Sequence, residues 1–215
     1  MKRIAFPIQM MLLSSTAYGA LPTLGGPMSH ILITLFQNEI YLSFESPSMS
    51  VVTMQNAEDD FIGSASVLNN TGYNAQFGWL ANGFISLPQD SGIFIRTISS
   101  SPHLGVYDET TFQGIMGTDT SPDLWQWDGT MTHNWYSTDT HGLHHARYEV
   151  FVADLAGNPL GGFTPGTIDL VFDYQPDLRG RIGPSSGTTS PLPTPPAASL
   201  LMLGALTVAR RKRID

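Results

Sequence analysis

Cysteine is absent from the 215-residue chain, which removes disulfide frameworks, thiolate metal sites and cysteine nucleophiles together. Lysine is almost absent: Lys2 and Lys212 are the only two, one at each end. Between Ala20 and Ser190 the basic side chains are Arg96, Arg147, Arg179 and Arg181. They stand against seventeen acidic residues, a formal charge of -13 within a chain whose net charge is -8. A body so poor in cations repels phosphate backbones and anionic lipid, so nucleic acid and the membrane surface are not expected as its partners. Long apolar runs are missing, as is helical periodicity outside the two termini. So are the Gly-x-Ser-x-Gly elbow, the P-loop, a Gly-x-Gly-x-x-Gly turn and His-Glu-x-x-His. The expectation is a protein that is not an enzyme. Two carboxylates brought together by separate strands are the one hydrolytic arrangement that spacing leaves open.

What is present at the ends reads as targeting. Met1-Lys2-Arg3 is basic, the next ten residues are apolar but too few to span a bilayer, and 14–20 turn small and polar. Ala17 and Gly19 stand two apart, the spacing of the -3 and -1 positions read by signal peptidase, so residues 1–19 are expected to be a signal peptide cleaved after Gly19. The other end holds a charge-free Gly/Pro/Ser/Thr linker over 183–196, which would extend as a hydrated spacer. An apolar stretch, Ala197 to Ala209, follows, and then Arg210, Arg211, Lys212 and Arg213. Thirteen residues at ~1.5 Å each make roughly 20 Å of helix, short of a bilayer core of about 30 Å. The basic cluster, like Lys2 and Arg3, would stay on the cytoplasmic side.

The order of proline motif, short apolar helix and arginine-rich end, over about 191–213, resembles the PEP-CTERM sorting tails. In this chain it is carried by Pro193, Pro195, Pro196, Arg210, Arg211 and Arg213. The resemblance implies a secreted bacterial surface protein processed by an exosortase-like enzyme and held, at least transiently, at the inner membrane through the C-terminal helix of 197–215. Pro193-Thr194-Pro195 stands where the family has Pro-Glu-Pro, a Pro-x-Pro variant. The segment from Asp123 through Pro159 also resembles secreted β-domains of unassigned activity that accompany such tails.

The body, 20–182, reads as all-β: a β-sandwich, with jelly-roll order as one form of it. Residues 31–36 and 39–44 flank Gln37-Asn38, a two-residue turn suited to positive φ. Further strands are expected over 50–55, 73–80, 83–87, 93–98, 111–115, 123–128, 132–136, 146–154 and 167–174. In the 147–152 run, Tyr148, Val150 and Val152 share one face and Arg147, Glu149 and Phe151 the other.

Two constellations offer binding chemistry. His133, His141, His144 and His145 supply imidazoles of the kind zinc, copper or nickel accept, provided three or four converge. Because neighbours in a strand face opposite ways, His144 and His145 would not both join one site. Trp125 and Trp127 share a strand face and Trp135 follows soon after, so an aromatic surface for an envelope polysaccharide is the second option. The acidic runs at Glu58-Asp59-Asp60 and Asp119 to Asp123 lack calcium-loop spacing and read as solvated loops. The sequence thus leads to an exported envelope or surface protein with a structural or adhesive role. A metal- or carbohydrate-binding module is the alternative, and a secreted hydrolase the third reading.

Overall fold

The computed structural model describes residues 20–46, 50–57 and 61–175. The signal peptide of 1–19, the linker of 183–196, the tail of 197–215 and the Glu58-Asp59-Asp60 run lie outside the described residues. Within them the chain is all-β, with twelve strands in three sheets.

The first sheet grows from a hairpin. Strands β1 (Ser29–Phe36) and β2 (Glu39–Phe44) pair antiparallel, with Phe36 opposite Glu39. Gln37 and Asn38 both take positive φ, 50° and 63°, the requirement of a type I′ turn whose twist matches that of its strands. Along β1, Ile31 and Ile33 are buried and their neighbours are not, the period of two that commits one face to a core. Strands β3 (Val51–Thr53) and β4 (Gln55–Asn56) diverge into different sheets.

Strands β5 (Gly72–Asn74) and β6 (Phe77–Ala81) replace the single strand expected over 73–80. The break is polar. Asn74 accepts from the Gln76 backbone N–H at 2.7 Å through Oδ1 and donates through Nδ2 to Thr53 O and Gln76 Oε1, while Gln76 donates to Pro27 O. These buried amides satisfy groups that a continuous ladder would otherwise use. The chain therefore changes sheet: β6 joins β1 in parallel, while β5 joins the second sheet.

The second sheet has the order β4-β5-β10-β8, where β8 is Gly105–Tyr107 and β10 is Trp135–Thr138. The third is built from β7 (Ser91–Ser100), β9 (Leu124–Trp127), β11 (Gly142–Asp154) and β12 (Gly166–Tyr174), in the order β3-β12-β11-β7-β9. Residues 83–87 and 111–115 form no strand. Gly114 makes only an isolated bridge to Tyr107, and β8 was not anticipated at all.

One core takes side chains from all three sheets. Phe172 of β12 meets Phe77 of β6 edge-on at 5.4 Å and Tyr136 of β10 at 4.6 Å. Trp79 of β6 meets Tyr148 of β11 at 5.8 Å. All five rings are fully buried. A second cluster of Phe61, Leu68, Tyr73 and Trp135 forms separately, and a third joins Phe94, Phe151 and Ala153. That third cluster accounts for Phe151, which shares the outer face with Arg147 and Glu149 yet is buried. The Arg96 guanidinium lies 4.9 Å over its ring and pairs with Glu149. At Gly72 a Cβ would overlap the Tyr174 ring, so only glycine lets the end of β12 close onto the second sheet.

Phe172→Ala is expected to cost about 3–5 kcal/mol, the range for a buried aromatic truncated to alanine. The check is a urea titration in which the midpoint falls at constant slope.

Candidate functional site

The histidines do not assemble. His133 is buried, its Nδ1 2.8 Å from Ala75 O and its ring edge-on to His30 at 5.4 Å. Strand β11 starts earlier than expected, at Gly142, and places His144 inward, with Nε2 2.8 Å from Thr140 O, while His145 points out and is exposed. His141 rests against Tyr174. Among the described residues no three His, Asp or Glu side chains come together as a metal group. The physical reason is the strand period, which sends neighbours to opposite faces, together with local backbone partners for His133 and His144.

The tryptophans are divided in the same way. Trp127 is buried in the main core and donates through Nε1 to Thr130 O at 2.7 Å. Trp135 belongs to the second cluster, stacked on Phe112 at 5.5 Å and donating to Glu109 O at 2.9 Å. Only Trp125 keeps partial exposure, beside Asp108 and Asp128 in a groove of about 270 Å³. Trp125 and Trp127 do share a face, but it is the inward one, so the three rings pave no common surface.

A cleft of about 630 Å³ lies elsewhere, between the ends of β7 and β10, strand β8 and the loop 116–123. That volume lies within the usual range for small-molecule sites, roughly 300–1,000 Å³. Its floor is Leu104, Val106, Met116 and Tyr148, all buried. Its walls carry hydroxyls, among them Thr97, Ser137 and Thr138, and its exposed rim carries Asp119, Asp123 and Asp139. No arginine or lysine lines it. His103, the only basic group there, faces Asp139 at 3.3 Å.

The loop that forms one wall is held against its own preferences. Met116, Asp119 and Thr120 all have positive φ, at 54°, 51° and 67°. Such conformations cost of order 1–3 kcal/mol each, and a β-branched threonine is the least suited of the three. The loop is pinned by Thr97 Oγ1 donating to Met116 O at 2.9 Å and by Val106 N–H donating to Thr118 Oγ1 at 2.7 Å.

Beneath the cleft the Tyr148 hydroxyl is fully buried and faces the Tyr136 hydroxyl in the core. Trp79 Nε1 lies beside the same Tyr136 hydroxyl, so the three groups form one buried polar cluster. Desolvation raises the pKa of both phenols and keeps them protonated. The Tyr107 hydroxyl is also pushed up, first by burial and then by the charge of Asp119. Near the Trp125 groove, burial pushes the Asp108 carboxyl up. Hydrogen bonds from the backbone and hydroxyls of Thr111 and Thr110 together outweigh that and hold it below its ordinary value.

None of the cleft residues was singled out as a site from the sequence. Its rim and floor come from five separated segments, and the only linear signal was the acidic 119–123 run. Compared with known proteins, the chain matches no family model and no curated sequence.

Two outcomes follow. With three of four indoles buried, acrylamide should quench only a minor part of the tryptophan emission, and Trp125→Phe should remove most of that part. Because its folded pKa is depressed, Asp108 stabilises the protein above the unfolded carboxyl value of about 3.9 and ceases to as pH falls through the folded one. Asp108→Asn should therefore lower the urea midpoint at neutral pH and flatten its decline in acid.

Proposed function

We propose that this chain is an exported cell-envelope protein with a structural or adhesive role and no catalytic activity. The observation that carries the reading is the charge layout. A body of formal charge -13 without lysine lies between two apolar stretches whose outer flanks hold Lys2, Arg3 and Arg210 to Arg213. Basic residues beside an apolar segment favour the cytoplasmic side, whereas acidic, hydroxyl-rich surface favours water. Signal peptidase at Ala17 and Gly19 and an exosortase-like enzyme at the Pro193-x-Pro195 tail are the processing partners in this reading. The C-terminal helix serves as an anchor at least until processing.

The body is read as a β-sandwich, in which the five-stranded sheet forms one layer and the other two sheets share the second. The contacts of Phe172 with Phe77 and Tyr136 support this arrangement, since they join inward faces of all three sheets. A secreted structural module of this kind draws its stability from a large aromatic core rather than from disulfides. Neither the scattered histidines nor the divided tryptophans support the alternative of a metal- or glycan-binding module built on those residues.

Fractionation of the native host combined with intact-mass measurement tests the reading. The expected result is recovery in the envelope or medium with the mass lacking residues 1–19, and further reduced if the tail is cut. Recovery from the cytosol with Met1 and Asp215 both present would overturn it.

A further inference from the structure

We propose that Asn82-Gly83 is a self-modification site, where the Asn82 side-chain amide closes to a cyclic imide and opens to a carboxylate in either the normal or the iso-linked backbone. The site is independent of the cleft, of the histidines and tryptophans, and of where the protein resides.

Asn82 alone among the asparagines precedes a glycine. The reaction requires the backbone nitrogen of the next residue to reach the asparagine Cγ, and glycine leaves that nitrogen uncrowded. Gly83 has φ +92°, and no heavy atom lies within 4 Å of where a Cβ would stand. Both residues are exposed, so water reaches the pair.

The backbone is fixed on one side of the pair only. The Asn82 N–H donates to Ile33 O at 2.9 Å, where β6 leaves β1. Beyond it, residues 83–87 form no strand and make no backbone hydrogen bond among the described residues. The Gly83 nitrogen is therefore unengaged, and rotation about ψ of Asn82 brings it toward Cγ, which is the geometry that governs an intramolecular attack. One restraint holds the electrophile: Asn82 Nδ2 donates to Thr34 Oγ1 at 3.0 Å.

In the first step the Gly83 nitrogen bonds to Cγ and gives its proton to water or hydroxide. The Cγ–Nδ2 bond breaks, and ammonia leaves with a proton from solvent. Water then opens the imide. Attack at Cγ yields aspartate, and attack at the Asn82 backbone carbonyl yields iso-aspartate, whose chain runs through Cγ. One water is consumed and one ammonia released, with no oxidant or reductant.

The other candidates are held out of this chemistry. Asn74 and Asn134 are buried, Asn69 is bonded through both side-chain atoms to the Phe61 backbone, and Pro159 after Asn158 has no N–H. In Asp128-Gly129 the carboxylate accepts from the Thr130 backbone at 2.8 Å and its hydroxyl at 2.6 Å. Those bonds favour the ionised form, which resists nucleophiles. At Asn82 either product removes the donor to Thr34, and iso-aspartate also lengthens the backbone entering 83–87. That segment lines a groove of about 380 Å³ through Phe84, Ile85 and Leu87, opposite Ile93 and Trp127.

Incubation of the full-length protein in detergent at mildly alkaline pH, followed by peptide mapping with electron-transfer fragmentation, tests the proposal. Asn82 should convert before any other asparagine, faster as pH rises, and give both iso-aspartate and aspartate. Thr34→Val should speed conversion several-fold, up to about tenfold, the worth of one neutral hydrogen bond. Asn82→Gln, which would need a six-membered ring, should stop it. An Asn82 that stays amidated in the folded protein after the urea-unfolded chain has converted overturns the proposal. So does earlier conversion at another asparagine, or aspartate formed without iso-aspartate. A folded Thr34→Val variant that reacts no faster overturns the restraining role of that hydrogen bond.

Discussion

Phe172 sits where three sheets meet, and the rest of the described fold depends on that meeting. Its ring touches Phe77 of the three-stranded sheet and Tyr136 of the four-stranded sheet, while its own strand lies in the five-stranded one. Aromatic rings bury the most area per residue and add a favourable edge-to-face term. Without cysteine to cross-link the chain, this packing is the main restraint on how the sheets sit against each other.

Polar groups decide how the chain reaches that packing. Asn74 and Gln76 interrupt what would be one long strand and send its halves to different sheets, because their amides satisfy the backbone at the break. The parallel pairing of β6 with β1 follows from that switch. Buried amides of this kind are expensive unless fully partnered, and these two are partnered on several sides. The same rule gives weight to the places where partners are lacking, notably the fully buried side-chain amide of Asn134.

Charge is arranged on a larger scale. Where arginine does occur in the described body it is tied to a carboxylate, Arg96 to Glu149 and Arg147 to Asp169. The remaining acidic groups therefore set the character of the surface. In the cleft this leaves a rim of carboxylates over a floor that is apolar apart from one phenol. A surface of that sign keeps the protein in solution and selects against anionic ligands by simple repulsion.

By itself the sequence determined what is local or compositional. The all-β class, the Gln37-Asn38 turn and the alternation in β11 follow from residue spacing, because strand period and positive φ are properties of a few neighbouring residues. The absence of thiol chemistry and the acidic sign of the body follow from composition alone. Tertiary structure decided the rest. It divided the run 73–80, dispersed the histidines, and placed Trp127 and Trp135 in separate clusters, because each outcome turns on which face of which sheet a residue meets. The cleft was hidden for the same reason. His103, Tyr107, Asp119 and Tyr148 are far apart along the chain, and only the pairing of β7 with β11 and of β8 with β10 carries them to one place.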